Sequence, residues 1–203
     1  LMPPMFGDLT PAAVAYCCVL AGCVPAELPL VLTAAVACLA DDFNLLGLLT
    51  TTGTPAVAVM VSGPAVRELG LNSGTNTLGP GNRANACIGR ALALVTRIIG
   101  GAVEGSGDMA TMGQPGKYGF CFAEDAGGLL PSLPARRGLP SGASAVTVFG
   151  VSGTMEVLPL EARDTPEAVL TPVAAAMIAS AAVASSGKAR EPGEQVVLIP
   201  PEL

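Results

Sequence analysis

A mixed α/β fold, a single domain whose mixed sheet is flanked by helices, is what this sequence predicts. Three observations carry that expectation. Hydrophobic residues fill 51% of the 203 positions, charged residues only 13%, and mean hydropathy is +0.59, so the chain has apolar surface to bury. Two short apolar runs rich in Val, 56–61 and 144–151, are bounded by turn residues, as buried strands are. Around them lie capped stretches with helical spacing, and their order is not a regular strand–helix alternation, which favours a mixed sheet. One domain over residues 1–203 is expected, with a Pro/Gly connector near 132–141 as the one place for a boundary.

Each element has a local reason. Thr10 is placed as an N-cap, with Pro11 at the first helical position and a stop near Gly22. Pro25 opens a second helix that ends near Asp41. "GLLTTTGTP", 47–55, reads as a loop, and "AVAVMV", 56–61, as a buried strand. "GPAVRELG" supplies one or two helical turns before a polar loop that begins at Asn72. Asn82 or Gly81 caps a long helix whose stripe is Ile88, Leu92, Val95 and Ile99, and Gly100 and Gly101 stop it. After a second polar stretch, 104–125, "KYGFCF" reads as a strand. "SAVTVFGV" is a strand, and "TMEVLPL" is expected to pair with it through a turn at Ser152 and Gly153. Asp164 or Thr165 caps a last helix from Pro166 to about Ser185, and "EQVVLIP" forms a terminal strand.

Charge and length exclude some classes. The net charge is −6 and the ten basic residues are spread along the chain, so there is no stripe to track a phosphate backbone and no nucleic-acid partner is expected. The longest apolar stretch, 28–40, contains Pro29 and is about half to two-thirds of a membrane span. No basic leader precedes an apolar core at the N-terminus, so a cytoplasmic protein is expected, although the opening "LMPPMFGDLTP" allows for a removed upstream segment. So few charges on a chain of this size suggest surface buried against a second subunit.

The chain has six Cys, no CxxC and no His. That argues against a zinc site, and neither a metal nor another cofactor is expected. The Ser-His-Asp and Cys-His engines are excluded, so any proton must move on Asp, Glu, Lys, Tyr or Cys.

Two polar loops remain as candidates. The first contains Gly79-Pro80-Gly81-Asn82-Arg83-Ala84, a formal GxGxxA match without the preceding strand that a dinucleotide site needs. Arg83 stands in the first turn of a helix, where the dipole disfavours a cation. An anion held by Asn72, Ser73, Gly74, Asn76, Gly81, Asn82 and Arg83 would resolve that conflict; a capping corner with Arg83 in solvent is the alternative. The second loop offers Asp108 and Glu124 as acids, and Lys117 and Tyr118 as donors or orienting groups.

The motifs "NSG…GPGNRANACIGRAL", "GDMATMGQPGKYGFCFAE" and "LLTTTGTP…VSGP" resemble a bacterial family encoded with, or fused to, UGSC-motif (seleno)proteins, and the likeness covers about residues 3–200. The resemblance implies one subunit of a two-subunit complex, of the kind that closes an aziridine with loss of sulfate in azinomycin-type and vazabitide-type antibiotic pathways. It also implies a His after "TTT", where this chain has Gly53, and a longer C-terminal part in fused members.

Sulfate loss needs donors for an oxyanion and a deprotonated amine in line with the carbon–oxygen bond, neither of which calls for His. The expected protein is therefore a subunit of a heteromeric enzyme acting on a small, polar, anionic metabolite by elimination or intramolecular cyclisation. Asp108 or Glu124 takes the proton, Lys117 or Tyr118 orients the substrate, and the partner is a UGSC-like or related protein. Two rivals stand beside it: a thiol- or redox-handling subunit using Cys87 or Cys121, and a binding subunit that only completes its partner's site.

Overall fold

The computed structural model describes residues 1–125, 127, 130–140, 142–158, 165–185 and 194–200. The chain divides into two compact units, Leu1–Gly153 and Thr154–Leu203.

The first unit is a three-stranded mixed sheet with helices on it. Its strands are β1 (Ala56–Ser62), β2 (Cys121–Ala123) and β3 (Ala145–Val151), in the order β2-β1-β3. β1 runs parallel to β2, with Val59 opposite Cys121, and antiparallel to β3, with Val59 opposite Val148. Side chains alternate across the sheet. Val59 and Val61 of β1 join the main core with Cys121, Ala123, Val146 and Val148. Ala58 and Met60 face the other way, into a smaller cluster with Phe120, Phe122, Phe149 and Leu133. Three of the five Phe residues sit there, the Phe122 ring 6.1 Å from Phe120 and 6.5 Å from Phe149.

The main core is completed by helices α1 (Pro11–Ala21), α2 (Leu28–Ala37) and α5 (Arg83–Leu94). Thr10 caps α1, accepting from the Ala13 N–H at 3.2 Å, with Pro11 at N1 and Gly22 in the left-handed conformation at the C-cap. A single 3-10 turn, Pro25–Glu27, leads into α2. Asn82 caps α5 through the Asn85 N–H, and Ile88, Leu92 and Val95 are buried at the spacing read from the sequence. The helix then widens into a π-helical turn, Val95–Ile99, before Gly100. Helix α5 lies almost on the backbone leading into β2. A side chain at Gly89 would place its Cβ 2.7 Å from the Phe120 nitrogen, so only glycine fits.

Some expectations do not survive. Residues 47–55 are not all loop: α3 (Leu45–Thr50) occupies their start, because Asn44 accepts from the Gly47 N–H and Leu45 and Leu49, four apart, are both buried. "KYGFCF" is a strand only from Cys121; Pro115–Tyr118 is a 3-10 turn. Residues 154–158 do not pair with β3, and Pro159 and Leu160 of that expected strand lie outside the described residues. The expected terminal strand, 194–200, is irregular and exposed. Short helices α4 (Ala65–Glu68) and α6 (Leu133–Arg136) follow β1 and β2 respectively.

The second unit holds α7 (Pro166–Ser185). Of its two expected caps, Asp164 lies outside the described residues, and the Thr165 hydroxyl accepts from the Ala168 N–H. Gln195 ties the tail to this helix through the Met177 carbonyl. None of residues 154–158, 165–182 and 194–200 is buried, although α7 carries a single charged side chain, Glu167. No helix among the described residues is long and apolar enough to cross a membrane.

Candidate functional site

Ser62 and Glu124 stand where the two parallel strands end. Glu124 follows β2 directly, and its N–H donates to the Val61 carbonyl, so it continues the ladder by one rung. Its carboxylate is then fixed from two sides. The Ser62 hydroxyl donates to Oε2 at 2.7 Å, and the Leu133 N–H donates to Oε1 at 2.8 Å. Ser62 is buried and Glu124 half-buried, so the group has one orientation. Two hydrogen bonds leave acceptor positions on both oxygens free.

Beside Glu124 opens a cleft of about 750 Å³, within the size range of small-molecule sites. The carboxyl end of parallel strands is where open α/β sheets place their ligands. One wall is α4 with Val66 and Arg67; the other contains Leu130, Pro134 and Leu139. Gly63, at φ +84°, makes the turn out of β1. A Cβ there would sit 2.3 Å from the Ala143 carbonyl oxygen, so glycine lets the two lips of the cleft meet. The Ser144 hydroxyl accepting from the Ala65 N–H holds the same junction.

The loop that begins at Asn72 is mostly occupied with itself. The Asn72 amide donates to the Thr75 carbonyl and accepts from the Gly74 N–H. Asn76 donates to the Pro80 carbonyl, and Asn82 to the Gly70 carbonyl while capping α5. Asn85, buried, exchanges hydrogen bonds with the Asn72 backbone. Asn76 and Gly81 take positive φ, as a tight corner needs. Ser73 is different: its side chain has no partner among the described residues, and it lines the cleft.

Arg83 has an internal anion. Its guanidinium meets the Glu27 carboxylate at 2.5 and 3.2 Å and also donates to the Gly22 carbonyl. The Glu27 side chain is fully buried, while that of Arg83 is 51% exposed. The bidentate fork resolves the conflict with the helix dipole from within the fold. Arg83 and the loop amides therefore form a braced corner, and of that group only Ser73 reaches the cleft.

The acid–base candidates separate. Lys117 Nζ lies 2.6 and 2.7 Å from the two Asp108 oxygens, the side chains 21% and 22% exposed. This pair sits at the amino end of the sheet, where Gln114 donates to the Thr54 and Val151 carbonyls and Gly116 packs on Ala56. Glu124 is at the carboxyl end. Tyr118 is 77% exposed, with its backbone carbonyl accepting from Arg90. So Asp108 and Lys117 are brought together, and neither joins Glu124.

The cysteines are free thiols. Burial pushes the Cys121 thiol up to about 12, and that of Cys38 likewise. Cys87 is half-buried and meets the Arg83 guanidinium. Among the described residues no three His, Cys, Asp or Glu side chains lie together as metal ligands.

Sequence reasoning found Glu124 and Ser73 but missed Arg67, Ser62 and Glu27. The signal for Arg67 and Ser62 was the "SGP" turn that closes β1 and the helical "AVRE" after it, which places Arg67 beside the strand end. Glu27 carried no such signal, because its partner is 56 residues away. Compared with family models, curated proteins and solved structures, the chain matches none.

Proposed function

We propose that this chain is one subunit of a small-molecule enzyme that moves a proton on a polar metabolite in the cleft at the carboxyl ends of β1 and β2. The observation that carries the reading is the Glu124 carboxylate, held by the Ser62 hydroxyl and the Leu133 N–H beside an open cleft of small-molecule size. A base in a fixed orientation needs no reorganisation before it accepts a proton. Arg67 is the cation lining the cleft, and it suits an anionic group on the substrate.

The reaction class is elimination or intramolecular displacement. Glu124 accepts a proton from carbon or nitrogen of the substrate. The electron pair left behind forms the new bond, and the breaking carbon–oxygen bond releases an oxyanion with its own pair. Ser73, which lines the cleft and has no side-chain partner among the described residues, supports a role as hydrogen-bond donor to that oxygen. The subunit reading is supported by α1, whose outward residues Tyr16, Val19 and Leu20 are exposed, and by α7, in which none of residues 166–182 is buried.

The test uses O-sulfo-, O-phospho- and O-acetylserine as probes, with anion release followed by ion chromatography. Release that falls about a hundredfold or more in Glu124→Gln supports the assignment. Release that persists at the wild-type rate in that variant refutes it.

A further inference from the structure

The cleft beside Glu124 carries both signs of charge, and among the described residues none of them is neutralised. Arg67, Glu124 and Asp125 all line it. Three cations elsewhere in the chain are taken: Arg83 by Glu27, Arg97 by Glu104 and Lys117 by Asp108. Arg67 makes no ion pair or side-chain hydrogen bond among the described residues. Glu124 accepts only from neutral donors there, Ser62 and Leu133, and Asp125 only from the Gly127 N–H. One cleft is therefore lined by an arginine and two acids, Arg67 and Asp125 exposed at its rim and Glu124 half-buried, that do not meet one another within ion-pair distance among the described residues. Between them the lining is apolar, with Val66, Leu130, Pro134 and Leu139.

We infer that the cleft is a site for a zwitterion with an apolar body, an α-amino acid or a close analogue, whose carboxylate lies on Arg67 and whose ammonium lies on Glu124 and Asp125. This rests on the function proposed above and narrows its substrate class. The complementarity is specific. A planar guanidinium offers two parallel donors that match a carboxylate, and an ammonium matches acceptor-only carboxylates. A dianion would meet two like charges, and a simple amine would leave Arg67 unanswered. The apolar wall accommodates a hydrocarbon side chain, and Ser73 is placed to meet a polar substituent on it.

Three probes on one skeleton separate the contributions: leucine, leucinamide and 4-methylpentanoate, titrated into the full chain by calorimetry up to about 10 mM. Leucine should bind about tenfold or more tightly than either half-probe. Arg67→Ala should erase the advantage of leucine over leucinamide. The pair Glu124→Gln and Asp125→Asn should erase its advantage over 4-methylpentanoate. Arg67→Lys, which keeps the charge without the fork, should keep part of the affinity and serves if the alanine variant does not fold. Equal binding of all three probes, no binding of leucine, or unchanged leucine binding in a folded Arg67→Ala protein would overturn the inference. Its failure is distinct from failure of the catalytic reading. Zwitterion preference with anion release indifferent to Glu124→Gln removes the base and leaves the ligand class standing. Release that depends on Glu124 without any zwitterion preference does the reverse.

Discussion

Replacing Glu27 by Ala tests whether the corner before α5 is braced from inside. The Glu27 side chain is fully buried and makes three hydrogen bonds: one from the Val24 N–H at 2.9 Å and two from Arg83 at 2.5 and 3.2 Å. Alanine removes all three and leaves the guanidinium facing a hole where its counter-charge was. Breaking a buried pair by deleting one partner costs about 3–5 kcal/mol. Here the lower figure applies, about 3 kcal/mol, because the half-exposed Arg83 can turn to water once released. For a chain of this size that is a fall in melting temperature of about 6–12 °C, read by circular dichroism or calorimetry. The double variant Glu27→Met with Arg83→Met replaces both partners by apolar groups of similar length, and it should recover most of the loss. If Glu27→Ala melts within about 2 °C of the parent, the pair is not a brace, and Arg83 is again available to an external anion.

The buried thiols make alkaline pH destabilising. Cys38 and Cys121 are raised from 9.0 to about 12 by burial, so the unfolded chain loses these protons first as pH rises. Their contribution is intact below pH 9 and shrinks above it by up to about 1.4 kcal/mol per pH unit per thiol; Cys38→Ala with Cys121→Ala should flatten the fall in melting temperature between about pH 9 and 11. Native labelling with iodoacetamide at about pH 8 should accordingly spare Cys38 and Cys121, and modification of either at the rate of a free thiol counts against this. Asp108→Asn leaves Lys117 without its bidentate partner and should cost about 1–2 kcal/mol, between exposed and buried pairs, with faster tryptic cleavage at Lys117. Gly89→Ala forces a Cβ onto the Phe120 and Cys121 nitrogens and should cost about 1–3 kcal/mol in urea denaturation; an unchanged midpoint would refute the close approach.

The elements with local instructions are legible in the sequence. Thr10-Pro11 and Asn82 announce α1 and α5, and the stripe Ile88, Leu92 and Val95 lies in the core at its helical spacing. The apolar runs of β1 and β3 lie within one residue of their expected positions. Helix α3 is hidden because it is only six residues long, is interrupted by Gly47 and runs straight into the loop-like "TTGTP", and its cap is an Asn in the left-handed conformation. The segment after Gly153 carries strand-forming residues, yet it does not join the sheet beside β3, and propensity alone does not distinguish the two. In the site, Glu124 is visible as an acid in a polar stretch, but its setting is not. The cleft exists only because β1 and β2 are parallel, a pairing between segments 62 residues apart. The conflict of Arg83 with its helix is a local fact and can be read from the sequence, whereas the source of its anion is a long-range one.

The contact of Gly89 with the segment entering β2 makes the cleft lopsided in its mechanics. Backbone rests on backbone there, with the Gly119 position reciprocally closed by the Arg90 nitrogen at 2.8 Å from any added Cβ. No rotamer can give way at such a junction, so β2 is bolted to α5 and the carboxylate at its end cannot travel toward a ligand. The wall made by the short helix α4, which carries Val66 and Arg67, leaves β1 through the turn at Gly63, and among the described residues it has no comparable backbone-on-backbone anchor to a long helix. Any induced fit in this protein is therefore expected to be one-sided: Glu124 at the end of β2 stays in place, and the α4 wall that carries Arg67 does the closing.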